Sequence, residues 1–462
     1  MHSLTLPHHA NPQTEIITLE FLDRFFATTV DYAWGLPLII LLIGGGLYFT
    51  IRGGFLPMRR VGHAIQILRG KYDNPDDPGE ISHFQALSSA LSATVGMGNI
   101  SGVAIAVSVG GPGAIFWMWV AGFVGMSTKF FTCTLATMFR KKDENGVEQG
   151  GPMYFIEMGL GDKFKPLAIM FAVCGLVGCL ALFQVNQLAG LMDNDWGVPR
   201  YLTGAICMIL VGSVILGGIV RVGKVASKVV PAMFVLYFIA SFYVIFTHAD
   251  MILPVFKSIF SQAFGGQALI GGGTGVAFKE ILITGVRRAA FSNEAGIGTA
   301  AMAHGAAKTK EPVREGLIAM LGPFFDTHLI CTMTALVILS TGVSATDDGV
   351  VMTVSAFEQA MPGIGSILLT IVIALFSIST MISYSYYSQK CARYLFGHVF
   401  GGRYVYIYVV SIFFAASWSQ DTLLNMLDTA FALMAIPTVV SSLILAPKVI
   451  DATKDYFQRM KL

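Results

Sequence analysis

Two short stretches, SATVGMGN (Ser92–Asn99) and SNEAGIGT (Ser292–Thr299), set hydroxyls, amides and one carboxylate around paired glycines inside apolar runs. Glycine lets a backbone leave helical geometry, and the freed carbonyls and amides can then face a cation or an anionic group. Close helix packing through small residues would explain the glycines alone, but not Thr94, Asn99, Asn293 and Glu294 beside them. Polar groups at that depth in a bilayer are expensive and functional by default. The chemistry they suit is capture of a small ion and a small polar solute.

Catalytic alternatives lack their residues. Neither an HExxH pair, a nucleotide-binding loop nor a Ser-His-Asp grouping is present at membrane depth. Gly159-Leu160-Gly161-Asp162 spells the GxGD signature of intramembrane aspartyl proteases, yet it lies in a basic loop and not in a span. The six cysteines, at 133, 174, 179, 207, 331 and 391, have no metal-ligand or redox spacing. A net charge of +2 without a long exposed basic block argues against nucleic acid as a partner. The chain reads as a transport protein and not an enzyme, with no organic cofactor.

The elements that must hold these residues are membrane helices. Of 462 residues, 54% are hydrophobic and 13% charged, against about 25% charged in ordinary soluble domains. That composition predicts an all-α polytopic membrane protein. A span needs about 20 apolar residues, and eleven candidates fall near 32–51, 84–109, 113–139, 166–190, 201–219, 229–247, 271–306, 315–341, 365–386, 404–418 and 425–446. Residues 1–13 lack the basic start and apolar core of a secretory signal. Residues 14–28 carry apolar side chains at helical spacing, as an interfacial helix or as a lead-in to the first span.

Lys and Arg gather on the cytoplasmic side of membrane helices. With eleven spans, 23 of the 30 fall in one set of loops, three (Arg24, Arg200, Lys257) in the other, and four (Lys129, Lys279, Arg287, Arg288) within spans. This split predicts an integral plasma (inner) membrane protein with its N-terminus outside and its C-terminus in the cytoplasm.

Shifting the chain by 200 residues aligns Ser92 with Ser292, Gly96 with Gly296, Gly98 with Gly298, Pro112 with Pro312 and Thr132 with Thr332. Five spans, an odd number, separate the copies, so the second is inverted. Inverted repeats whose first helices are interrupted mark secondary transporters with a site at the bilayer midplane. The expected domains are an N-terminal segment with an extra helix (1–83), two five-helix repeats (84–247 and 248–446) and a cytoplasmic tail (447–462).

From about Gly35 to Pro447 the chain resembles the alanine or glycine:cation symporters, also called sodium:alanine symporters. The most specific stretches are GLYFTIRGGF (46–55), TVGMGNISGVAIAVSVGGPGAIFWMW (94–119), GGPMYFIE (150–157), FSNEAGIGTAAMAHGAAKTKEPVREGLIAMLGPFFDT (291–327) and CTMTALVI (331–338). That family is similar to the superfamily with five-plus-five inverted repeats. The resemblance implies coupled import of a small neutral amino acid with sodium as co-substrate. It implies a carboxylate site from Thr94, Gly96, Met97 and Gly98, with Gln184 and Asn186 from the 166–190 span. It adds Phe291, Ser292, Asn293 and Gly296 from the second break, and a cation site from the Val95 carbonyl, Asn99, Ser379 and Thr380. Three positions depart from the family pattern: Met97 for threonine, Tyr384 for a tryptophan in the pocket wall, and Thr132 for an acidic residue one turn from Lys129. Neither the particular amino acid nor the oligomeric state is indicated.

Among single residues, Glu294 is expected to hold the break or bind a proton, or else to pair with Arg287 or Arg288. Lys129 is expected to snorkel to the cytoplasmic boundary, Asp326 to pair with a neighbouring helix, and His304 and His328 to pack or hydrogen-bond.

Overall fold

The computed structural model describes residues 24–144, 146–264, 274–344 and 349–461. Residues 14–23 of the expected interfacial helix, and the first three residues of the 271–306 span, lie outside these. The described chain is helical apart from a two-residue hairpin, Lys141–Lys142 (β1) with Glu148–Gln149 (β2).

The helices are α1 (Arg24–Ala33), α2 (Leu36–Arg52), α3 (Leu56–Arg59), α4 (Val61–Leu68), α5 (His83–Thr94), α6 (Met97–Gly110), α7 (Gly113–Met138), α8 (Pro152–Leu160), α9 (Lys165–Gly178) and α10 (Leu182–Trp196). They continue as α11 (Arg200–Ile215), α12 (Gly218–Thr247), α13 (Ala249–Gln262), α14 (Thr274–Asn293), α15 (Thr299–His304), α16 (Pro312–Ala319), α17 (Thr332–Thr341), α18 (Gly349–Ala360), α19 (Gly365–Ala415) and α20 (Gln420–Arg459).

Among the described residues, six helical stretches are long and apolar enough to cross a bilayer, and the bent pairs α1–α2 and α5–α6 bring the number to eight. The 51 residues of α19 would extend about 75 Å at 1.5 Å per residue, more than twice the hydrocarbon thickness. Gly397, at φ 79°, divides that run into two passes. The shorter apolar helix α11 and the broken pair α14–α15 lie where two further spans are expected from the sequence.

Local chemistry explains several boundaries. Ser82 and Gln85 form a reciprocal capping box at the start of α5, with bonds of 3.0 and 3.2 Å. Pro152 and Pro312 open α8 and α16, where a missing N–H costs nothing. Several spans differ from their expected limits. The 166–190 span is interrupted at Cys179–Ala181 between α9 and α10, the 229–247 span begins at Gly218, and the 425–446 span runs from Gln420 to Arg459. Between α16 and α17, Phe324–Cys331 winds as a π-helix, a form that concentrates at functional sites.

Candidate functional site

α5 ends at Thr94 and α6 begins at Met97, so the first break is two residues, Val95 and Gly96. Gly96 is extended (φ −158°), and its N–H donates to Asn99 Oδ1 at 2.9 Å. A Cβ on Gly96 would lie 2.4 Å from Thr380 Oγ1. Glycine is there for space. Thr380 Oγ1 donates to the Ser92 carbonyl at 3.1 Å, Ser379 Oγ approaches the same carbonyl at 3.5 Å, and Ser92 Oγ donates to the Ser379 carbonyl at 2.8 Å. Two of the four expected cation ligands, Ser379 and Thr380 of α19, therefore pack against Ser92 near the end of α5, beside the first break. These hard oxygens suit a small monovalent cation.

The second break is longer, Glu294 to Gly298. Gly296 and Gly298 have φ of 90° and 99°, and Glu294 takes a left-handed φ of 55°, a conformation that costs a non-glycine residue about 1–2 kcal/mol. Side chains hold it there. Glu294 accepts from Thr299 through Oε2 and from Tyr384 through Oε1. Asn293 Oδ1 accepts from the Ala295 N–H at 2.8 Å, and Thr438 Oγ1 donates to the Ile297 carbonyl at 2.9 Å.

A buried polar cluster joins the two breaks. Asn99 Nδ2 donates to Asp326 Oδ2 at 2.8 Å and to Ser292 Oγ at 3.0 Å, and Ser292 Oγ donates to Asp326 Oδ1 at 2.5 Å. Thr327, in the same π-helix, donates to Asp326 Oδ1 at 2.9 Å and accepts from Asn293 Nδ2 at 2.8 Å. Asp326 does pair with neighbouring helices, and those helices carry the breaks. Its central place was not legible, because nothing in GPFFDT signals a π-turn that rotates Asp326 and Thr327 inward.

One expectation is overturned, and one of the two alternatives for Glu294 is excluded. Lys129 does not snorkel: it is 3% exposed, and its charge interacts with Glu294 and Asp326. Glu294 has no ion pair with Arg287 or Arg288, because both guanidiniums pair with the fully buried Asp428.

Other expected residues divide. Phe291 lies edge-on to Phe183 at 5.6 Å, which brings the start of α10 beside the end of α14. Gln184, next along α10, is buried with its Oε1 lacking a hydrogen-bond partner. Asn186 turns away, donating to the carbonyls of Ala415 and Trp418 at 3.1 and 2.8 Å. The Thr94 hydroxyl is spent on the Ala90 carbonyl at 3.1 Å. Met97 is fully buried, and Gly98 lies so close to α14 that a Cβ would sit 3.0 Å from Ser292 Cα. A cavity of about 710 Å³ lies away from the breaks, beside β1–β2, α8, α9 and α19. Backbone irregularity and buried polar groups coincide at the breaks and not at that cavity.

The profile described as the sodium:alanine symporter family matches residues 19–462. The chain is 39% identical to the sodium/alanine symporter AgcS of Methanococcus maripaludis, covering 93% of this chain and 96% of that one. It is 33% identical to the probable sodium/glutamine symporter GlnT of Bacillus subtilis, covering 96% and 92%. In fold it is similar to MhsT in complex with L-phenylalanine, at a TM-score of 0.56 and 13% identity over 81% of this chain and 98% of that one.

Proposed function

We propose that this chain, which belongs to the sodium:alanine symporter family, imports a small neutral amino acid, alanine or glycine, together with sodium by alternating access. The observation that carries this reading is the pair of broken helices joined through Asn99, Ser292 and Asp326. Sodium binds at the Val95 carbonyl, Asn99, Ser379 and Thr380. The substrate carboxylate meets the start of α6 at Gly96–Gly98, where the helix dipole favours an anion and the Gly96 N–H is already held by Asn99 Oδ1. Phe291, Ser292, Asn293, Gly296, Gln184 and Tyr384 form the rest of the pocket. Thr94 and Asn186 support it from behind, since their polar groups are engaged elsewhere. The end bearing β1–β2 and the basic loops faces the cytoplasm.

Mechanistically, the protein supplies no covalent chemistry. Cation and carboxylate neutralise one another among buried side chains, so each favours binding of the other. Only the fully loaded site can then close and reopen inward. The likeness to the probable sodium/glutamine symporter GlnT supports a second reading, a larger neutral amino acid. Uptake of labelled L-alanine into proteoliposomes under an inward sodium gradient, against a matched potassium gradient, tests the function. Sodium-dependent uptake supports it; equal uptake in both contradicts sodium coupling. Competition by glutamine separates the two substrates.

A further inference from the structure

We propose that His83, Glu315 and His304 form a proton-stabilised latch that holds the cytoplasmic gate shut, an inference resting on the alternating-access reading and orientation given above. Glu315, at the start of α16, is fully buried. Its Oε1 meets His83 Nδ1 at the start of α5, and its Oε2 meets His304 Nδ1 at the end of α15 at 2.6 Å. One carboxylate thus ties together the cytoplasmic ends of both broken helices.

The same end is closed by backbone contacts. The N–H groups of Glu80, Lys308 and Thr309 donate to the carbonyls of Ala306, Ile81 and Pro78 at 2.7, 2.8 and 3.0 Å. Arg140, just beyond α7, donates to the carbonyls of Ala307 at 2.7 Å, Pro78 at 3.1 Å and Thr309 at 3.4 Å. A solute leaving between α5 and α15 must part these contacts.

The triad differs from the rest of this closure because its strength depends on a proton. With both imidazoles neutral, the two hydrogen bonds to the buried Glu315 carboxylate come from neutral donors, and the nearby Arg140 charge is all that offsets its burial, which is costly. With one imidazole protonated, the bond becomes charge-assisted and roughly twice as strong. His83 is the placed acceptor, since its Nε2 lies 3.9 Å from Asp73 Oδ1 and has no hydrogen-bond partner. Closure and protonation therefore favour each other. When α5 swings out, His83 enters water, where an imidazole releases its proton above about pH 6.5. The proton's contribution to closure is thus fully present below about pH 6.5 and is lost as cytoplasmic pH rises.

Other charged or titratable groups face the triad from each packed element. Asp73 and Arg314 act on His83, while Arg140 and Cys133 of α7 act on Glu315. Glu80, in the loop before α5, has its carboxyl pushed up by burial, and interacts with Lys390, Arg393 and Asp143. The imidazoles meet opposite oxygens of one carboxylate instead of converging on a point. Among the described residues no cluster of three or more His, Cys, Asp or Glu could hold a metal ion.

The test uses the full-length protein in proteoliposomes oriented with the cytoplasmic face inside, at fixed sodium gradient, fixed voltage and fixed external pH. Initial alanine uptake by the wild type is expected to fall roughly three- to tenfold as luminal pH drops from 8.0 to 6.0, as one imidazole's linkage requires. His83→Gln and Glu315→Gln should each flatten that profile. Sodium-driven uptake indifferent to luminal pH, or the same profile in both variants, overturns the latch and leaves the transport reading standing. A second measurement does not depend on transport. At pH 6.0, amide exchange at 80 and 308–309 should be at least threefold slower in the wild type than in His83→Gln, converging by pH 8.0. Equal exchange at pH 6.0 overturns the latch.

Discussion

The first break spans two residues and the second spans five, although their sequences align glycine on glycine. Gly96 and Gly296 occupy matching positions and have different physical reasons to be glycine. Gly96 is not left-handed, with φ −158°, and its missing side chain makes room for Thr380. Gly296 and Gly298 are left-handed, so there the backbone itself demands glycine. The first break is secured by one amide, Asn99, and the second by a carboxylate held between Thr299 and Tyr384. A repeated motif has thus conserved the interruption while its two copies stabilise it by unrelated means.

This contrast can be broken most forcefully at Gly298. A Cβ there would meet Pro152 Cγ and Thr438 Oγ1, both at 2.7 Å, on a backbone at φ 99°. Gly298→Ala is expected to abolish uptake and to lower stability by roughly 2 kcal/mol or more, combining left-handed strain with overpacking. Gly96→Ala should be milder, because Thr380 can rotate; equal loss in the two variants, measured by uptake and thermal unfolding, would erase the distinction. Asn99→Ala comes next. It leaves the Gly96 N–H, Ser292 and Asp326 short of a partner, a loss of about 1–3 kcal/mol, and should weaken the sodium dependence of uptake ten- to a hundredfold. Full sodium dependence in that variant would remove Asn99 from the ion site. The smallest effect is expected from Tyr384→Phe, which deletes one hydroxyl from Glu294. A loss of about 1 kcal/mol corresponds to roughly fivefold slower uptake, and no change would show that Thr299 alone holds the second break.

The broad architecture was legible because apolar length and the sorting of basic residues are forced by the bilayer. The breaks were legible because glycine beside asparagine and glutamate has no lipid-facing explanation. What the sequence hid are features whose cause is a distant partner. Lys129 looked like an interfacial lysine until the fold set it among Glu294 and Asp326. Arg287 and Arg288 had a nearby acid in Glu294, but Asp428, about 140 residues away in sequence, takes both guanidiniums. His83, Glu315 and His304 have no common spacing, and only the approach of α5 to α15 and α16 reveals them as one unit. The turn at Cys179–Ala181 likewise has no glycine or proline at its centre to announce it.

Cooperative binding of sodium and amino acid at the first break is the step on which the proposed transport cycle depends. It is tested most directly by measuring L-alanine affinity of the purified protein at increasing sodium, for the wild type and for Thr380→Ala. The wild-type Kd should fall at least tenfold as sodium rises, and Thr380→Ala should remove most of that dependence while still binding alanine at high sodium. An alanine affinity indifferent to sodium in the wild type, or an undiminished sodium dependence in Thr380→Ala, would contradict it.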